Sequence, residues 1–172
     1  ARSEAAHWPE DNYLSFNLSA QDICSHETMT AIFAAIGRSN ISPCRLVFEI
    51  TESSVMQNFD RAVQSLETLK AAGCHLALGL GDNIYESGVT SVDAPQFEEK
   101  FELPFEPVEL PFFMVLGNHD NTGFIGGDGA GNARGEFQVD YHYRTDRMTD
   151  RWQMPDRYYR FGWGENRAGE PL

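Results

Sequence analysis

Apolar residues recur along this chain at spacings that predict alternating strands and helices. Residues 45–51 alternate between apolar and polar side chains, as a half-buried strand does. Residues 58–72 repeat apolar side chains at helical spacing and stop before Gly73, a common residue at helix C-termini. The apolar run at 75–80 predicts a second strand. This order favours a right-handed parallel βαβ unit that brings the segments after both strands to one sheet edge.

The rest of the chain carries weaker patterns of the same kind. The predicted elements are a helix over 21–37, a short helix over 96–102, a buried strand over 112–116, a long glycine-rich loop over 121–135, and aromatic-rich strands over 137–144 and 157–163. We expect the acidic residues of the short helix to face solvent. Together these elements predict an α/β fold.

Composition and charge narrow the classes of function. The chain has 172 residues, a formal charge of −13 and 41% apolar residues. This acidity argues against a nucleic-acid partner, and no run approaches the ~18 apolar residues of a membrane helix. Cys24, Cys44 and Cys74 have no paired spacing, so we expect reduced thiols. Without a signal peptide at the start, these features favour a soluble, cytoplasmic protein.

Candidate chemistry follows two of the predicted strands. Gly81-Asp82-Asn83-Ile84-Tyr85 comes after 75–80, and Gly117-Asn118-His119-Asp120 comes after 112–116. Loops that leave adjacent parallel strands converge in one crevice, so we expect the two segments to meet. Asp and Asn side chains supply hard oxygen ligands, and a phenolate suits a trivalent metal.

These two segments resemble the purple acid phosphatase branch of the metallophosphoesterases, and the resemblance extends over residues 79–172. The segments that carry it further are Glu86-Ser87-Gly88-Val89, Gln138-Val139-Asp140-Tyr141-His142-Tyr143-Arg144 and Trp152-Gln153-Met154-Pro155-Asp156-Arg157-Tyr158-Tyr159. The resemblance implies metal ligation by Asp82, Tyr85 and Asn118. It implies that His119 contacts the phosphate or protonates the leaving group, and that Asp120 orients His119. The metal would be divalent or ferric: iron, zinc, manganese or magnesium.

Other ligands of that family have no counterpart here. Upstream of Asp82 there is no Asp-x-His, and after His119 only His142 remains, outside any Gly-His-x-His motif. We therefore expect an incomplete metal site that binds weakly and supports little or no turnover by this chain.

The N-terminal part resembles a different family. Residues 1–78 contain Asn17-Leu18-Ser19, then Glu49-Ile50-Thr51-Glu52, in an order similar to the EAL-type cyclic-di-GMP phosphodiesterases, which are barrels of strands and helices. In that family the Asn and the last Glu bind metal, which implies roles for Asn17 and Glu52. The Glu-Ala-Leu motif and the paired Asp residues that complete that site in the family have no counterpart in residues 1–78 or directly after them.

Structural alternatives stay open for each of these residues. Asp82 has the chemistry of an ordinary turn residue, and Tyr85 could pack against the sheet. His119 could be a loop histidine without a substrate. Glu52 could cap a helix.

The sequence therefore predicts an α/β chain spliced from two fragments. One is a piece of a (β/α) barrel at 1–78, and the other is part of a metallophosphoesterase sandwich at 79–172, in one shared sheet or in two. The first functional hypothesis is a metal-dependent hydrolase acting on a phosphate ester. The alternatives are a non-catalytic chimeric scaffold and a degenerate module that binds cyclic di-GMP. Exposed sheet edges would favour self-association.

Overall fold

The computed structural model describes residues 13–39, 41–42, 45–50, 59–121 and 133–162, which form two compact units. The first unit contains the described residues up to Leu76 and the segment Leu103–Leu110. The second contains Ala77–Glu102 and the described residues from Pro111 onward. Each unit has its own parallel sheet, so the α/β class is confirmed. The origin of the two parts in a barrel and a sandwich, divided near residue 78, stays a prediction.

The first unit packs helices against a small parallel sheet. Its elements are β1 (Leu14–Leu18), α1 (Ala20–Cys24), α2 (His26–Arg38), β2 (Leu46–Ile50) and α3 (Phe59–Ala71). Its core consists of Leu18, Met29 and Leu69, with Ile32, Phe33, Phe48, Ile50, Leu66 and Cys74 packed around them. The alternation along β1 and β2 turns apolar side chains inward and leaves Ser15, Asn17 and Glu49 exposed.

Serine caps explain why the helix predicted over 21–37 is two helices. Ser19 and Asp22 form a reciprocal capping box at the start of α1. Ser25 then ends α1 and caps α2, where its hydroxyl accepts from the Thr28 N–H at 3.2 Å. The helix predicted over 58–72 is confirmed as α3. At its end Gly73, with φ 104°, lets the Cys74 N–H donate to the Leu69 carbonyl at 3.0 Å.

The second unit is built around a three-stranded parallel sheet. Its elements are β3 (Ala77–Gly79), a π-helix (Glu98–Glu102), β4 (Phe112–Met114), α4 (Asn118–Asn121), α5 (Ala133–His142) and β5 (Trp152–Gln153). The strand order is β3-β4-β5, with β4 in the centre. The strands predicted over 75–80 and 112–116 are confirmed, though each is shorter than its apolar run.

The predicted βαβ unit is wrong. β2 pairs with β1, with Leu46 opposite Leu14, whereas β3 pairs with β4, with Ala77 opposite Phe112. The two strands therefore lie in different sheets, and the single shared sheet that we considered is not formed by the described strands. Periodicity showed that each segment is a strand but carried no information about its hydrogen-bonding partner.

Two predicted strands are also wrong. Residues 137–144 fall largely in helix α5, which buries Gly135, Gln138 and Tyr141 at three-residue spacing. Packing of that face outweighs the strand propensity of its aromatic residues. Within 157–163, the described residues to 162 form no regular element.

The short predicted helix is present as the π-helix, but its acidic residues do not all face solvent. Glu98 and Glu99 are exposed, whereas Glu102 is fully buried. The Glu102 carboxylate accepts from the Tyr141 hydroxyl at 3.0 Å and from Thr149 at 2.6 Å, and pairs with Arg151 at 3.2 Å. Burial, with the adjacent Glu102 carboxylate, raises the pKa of Tyr141, which keeps its hydroxyl a donor.

Rings of the second unit surround this ion pair. Phe97 stacks on Tyr141 with ring centroids 3.8 Å apart, and Trp152 meets both rings edge-on. The Arg151 guanidinium lies over the Phe101 ring at 5.8 Å. The charged pair therefore lies inside an aromatic core that connects the π-helix, α5 and β5.

The thiol and membrane predictions are tested only in part. Cys74 is a free, half-buried thiol whose pKa is raised by burial. Cys44 and the side chain of Cys24 lie outside the described residues. Among the described residues, every helix is too short or too polar to span a bilayer.

Removing the Glu102 carboxylate should destabilise the second unit strongly. We expect Glu102→Leu to lower the free energy of unfolding by about 3–5 kcal/mol, because the buried Arg151 guanidinium loses the carboxylate that balances its charge. Glu99→Leu on the same helix turn is the matched control and should change it by less than about 0.5 kcal/mol, since Glu99 is exposed. Urea denaturation followed by circular dichroism measures both. A Glu102→Leu effect no larger than that of the control would contradict the structural role of this pair.

Candidate functional site

The two candidate segments lie at the same edge of the second sheet. β3 and β4 are parallel neighbours, and two segments leave from their carboxyl ends: residues 81–85, the β3 loop, and residues 117–120, the β4 loop, which includes the start of α4. We call the residues Asp82, Tyr85, Asn118, His119 and Asp120 the strand-end site. The predicted meeting of the two loops is confirmed by direct hydrogen bonds between them.

Asp82 is the point at which the loops touch. Its backbone adopts φ 54°, a left-handed conformation that Asp tolerates better than most residues. One carboxylate oxygen, Oδ1, accepts from the backbone N–H of His119 at 3.0 Å. The other, Oδ2, accepts from the hydroxyl of Tyr85 at 3.0 Å. The carboxylate therefore joins both loops.

Glycines allow this close approach. A Cβ atom on Gly117 would lie 2.1 Å from Asp82 Oδ1 and 2.3 Å from the Asp82 nitrogen. Gly81 has φ 98°, and a Cβ there would lie 2.7 Å from the Gly117 nitrogen. Both glycines of the sequence motifs are therefore required by contact between the loops.

Asp120 is fully buried and is the centre of a hydrogen-bond network. Its oxygens accept from the backbone N–H groups of Asn83 at 3.1 Å, Ile84 at 3.1 Å and Gly117 at 2.9 Å. A fourth donor is the side-chain amide of Gln138 at 2.8 Å. A buried carboxylate is costly unless it is hydrogen-bonded, and this one ties the β3 loop to the β4 loop and to α5. The role expected for Asp120, orienting His119, stays a prediction.

His119 has a defined ring orientation. Its Nδ1 lies 2.7 Å from the backbone carbonyl oxygen of Glu86, and its ring lies 4.6 Å from the ring of Tyr85, centroid to centroid. A carbonyl oxygen only accepts, so Nδ1 carries the hydrogen. In the neutral ring Nε2 is then the basic nitrogen, the atom that would exchange a proton with a substrate.

The remaining predicted ligands are placed differently. Asn118 is exposed at the start of α4, in the same loop as His119. Asn17 belongs to the first unit, where it lies on β1 directly opposite Glu49. Glu52 lies outside the described residues. The structure thus brings together Asp82, Tyr85 and the His119 loop, and the prediction for Asn17 and Glu52 stays untested.

The donor types of the strand-end site suit a hard metal ion. Asp82, Tyr85 and Asn118 offer a carboxylate, a phenol and an amide oxygen, all hard donors. In the part of the chain that the structure describes, no three His, Cys, Asp or Glu side chains converge as a metal cluster.

Sequence reasoning missed one residue that contacts the strand-end loops. Gln138, buried on α5, was hidden by the prediction of a strand over its segment.

Known proteins resemble the chain in two ways. The EAL domain family matches residues 1–83. A solved structure, the PaMucR phosphodiesterase in a c-di-GMP complex, is 18% identical with a TM-score of 0.49, and the match covers 79% of this chain and 52% of that one.

The second resemblance is to acid phosphatases. Tartrate-resistant acid phosphatase type 5 of Oryctolagus cuniculus is 31% identical over 136 residues, which is 77% of this chain and 36% of that protein. Purple acid phosphatase 4 of Arabidopsis thaliana is 39% identical over 53 residues, which is 30% of this chain and 16% of that protein. The chain thus spans only about a third, or less, of the length of these phosphatases. Both resemblances seen in the sequence are confirmed: the chain is similar to EAL domains over residues 1–83 and to the purple acid phosphatases.

Proposed function

We propose that the strand-end site is a phosphoester hydrolase half-site that binds one metal ion weakly and turns over phosphate esters poorly by itself. The observation that carries this proposal is the bond from the His119 N–H to Asp82 Oδ1, because it joins the two phosphatase-like motifs at one strand end. The similarity to acid phosphatases supports the same reaction class.

In this proposal the metal would be divalent or ferric, and Asp82 and Asn118 would hold it. Tyr85 is the third candidate ligand, since its hydroxyl already lies 3.0 Å from Asp82 Oδ2. When bound, the ion would polarise the phosphoryl group of a phosphate ester. This positive charge matters because the chain is strongly acidic and would otherwise repel an anionic substrate.

His119 is the proposed acid for the leaving group. Its Nδ1–H is held by the Glu86 carbonyl, so a proton delivered to a leaving oxygen would come from Nε2 of the charged ring. The contact with the Tyr85 ring restricts rotation of the imidazole. Asp120 holds the loop that carries His119 through the Gly117 N–H.

A non-catalytic scaffold is the second candidate function. The Asp82 carboxylate already accepts two hydrogen bonds from the protein, so the loops need no ion in order to meet. Metal binding therefore distinguishes the two candidate functions. A half-site would bind a metal ion through Asp82, whereas a scaffold would bind none there.

Metal affinity should depend on the Asp82 carboxylate. We expect the wild-type chain to bind Mn²⁺ in a titration followed by electron paramagnetic resonance, and Asp82→Asn to weaken binding by about 10–100-fold, the loss typical of disturbed metal sites. Asp150→Asn is the control, since Asp150 is exposed in the same unit. Equal affinities for Asp82→Asn and the wild type would overturn the proposed site.

Turnover should be slow. With p-nitrophenyl phosphate and added Fe, Zn or Mn, we expect a kcat below about 1 s⁻¹, at or under the lower end of ordinary enzyme rates. Asp82→Asn should abolish whatever rate is measured. A kcat of about 10 s⁻¹ or more would show a complete site and contradict the half-site.

Filling the space at Gly117 should disrupt the same site. The Cβ of Gly117→Ala collides with Asp82, so we expect a loss of about 1–3 kcal/mol in unfolding free energy and a fall in Mn²⁺ affinity. Gly37→Ala is the matched control, because nothing lies within 4 Å of its Cβ and alanine favours the helix. Thermal melts and the Mn²⁺ titration measure both variants. Unchanged Mn²⁺ affinity in a folded Gly117→Ala chain would show that loop contact does not shape the site.

A further inference from the structure

We propose that Gln138 is a positioning residue for the strand-end site: its buried side-chain amide holds the β3 loop and the β4 loop in register. Its effect on metal affinity rests on the proposed function, whereas its effect on the loops does not.

Both ends of the Gln138 amide are used. Nε2 donates to Asp120 Oδ1 at 2.8 Å, and Oε1 accepts from Asn83 Nδ2 at 3.1 Å. A carboxylate has no hydrogen to give and an amide nitrogen offers no acceptor, so only this orientation of the amide satisfies both neighbours. The side chain is fully buried, which makes each of these bonds costly to lose.

The two partners of Gln138 belong to different loops. Asn83 follows Asp82 in the β3 loop, and its Nδ2 also donates to the Val115 carbonyl at the end of β4, at 2.8 Å. Asp120 is in the β4 loop and accepts the backbone N–H groups of Asn83 and Gly117. Gln138 therefore closes a ring of hydrogen bonds directly beside Asp82.

The position of Gln138 is set by the core and not by the loops. Its backbone carbonyl accepts from the indole Nε1 of Trp152 at 3.1 Å, and Trp152 is fully buried on β5. One turn further along α5, the ring of Tyr141 stacks on Phe97 with the ring centroids 3.8 Å apart. Helix α5 is thus held by the aromatic core. The Gln138 side chain, which α5 carries, therefore holds the two loops in a fixed position through its hydrogen bonds.

Amide hydrogen exchange measured by NMR tests the role without requiring metal. In Gln138→Leu we expect the backbone amides of Asn83, Ile84 and Gly117 to exchange at least about tenfold faster, while the amides of the β3-β4 ladder keep their rates. Tyr141→Phe is the matched control: it removes a buried hydrogen bond from the same helix but leaves the ring beside Asp82 intact. It should leave the rates of these three amides unchanged relative to the ladder.

If Gln138→Leu fails to fold, Asn83→Ala gives the same test from the other side of the ring, read at Ile84 and Gly117. A uniform rise in exchange across the second unit would mean that Gln138 only stabilises the fold. Unchanged exchange at the three amides would mean that the ring is not needed. Either result overturns the proposal.

Mn²⁺ affinity separates this inference from the proposed function. If the wild type binds Mn²⁺, Gln138→Leu should weaken binding about tenfold or more and Tyr141→Phe by less than about twofold. If Gln138→Leu and Tyr141→Phe weaken binding equally, the positioning role is wrong. If the wild type binds no Mn²⁺, the metal site is wrong, and the exchange rates still decide the role of Gln138.

Discussion

A carboxylate with no exposed surface must find its hydrogen bonds inside the protein, and that requirement shapes the end of the second sheet. Asp120 accepts from three backbone N–H groups and one side-chain amide. Those donors come from both strand-end loops and from α5, so the carboxylate is satisfied only when all three lie in place. Gly88 lies close to the Asp120 backbone, and a Cβ atom on Gly88 would lie 2.6 Å from the Asp120 carbonyl oxygen. The placement of Asp82 and His119 follows from this arrangement.

The network around Asp120 depends on the core beneath it. Trp152 contacts the aromatic core through its ring and the Gln138 carbonyl through its Nε1. Glu102 and Arg151 fix the other side of that core as a buried ion pair. A series of direct contacts thus connects the Glu102–Arg151 ion pair, through the aromatic core and Gln138, to the loops that contain the candidate site residues. The positions of the site residues therefore depend on the packing of this core.

Much of this arrangement could be predicted from sequence. Apolar runs gave the strands that lead into both motifs, and parallel-sheet geometry gave the meeting of Asp82 with the His119 loop. The pattern of apolar residues failed where the structure depends on contacts between residues that are distant in sequence. It could not show that β2 pairs with β1 and not with β3, nor that Tyr141 and Gln138 lie on one buried helix face. It placed Glu102 in solvent because its partners Arg151 and Tyr141 are distant in sequence.

The central claim is that three backbone amides donate to one buried carboxylate. NMR couplings through hydrogen bonds test it most directly, read between the Asp120 side-chain carboxyl carbon and the amide nitrogens of Asn83, Ile84 and Gly117. The account predicts a coupling to each of the three nitrogens in the folded, metal-free chain. If the couplings are absent while the β3-β4 ladder shows its own, the loops are held in some other way and the account is wrong.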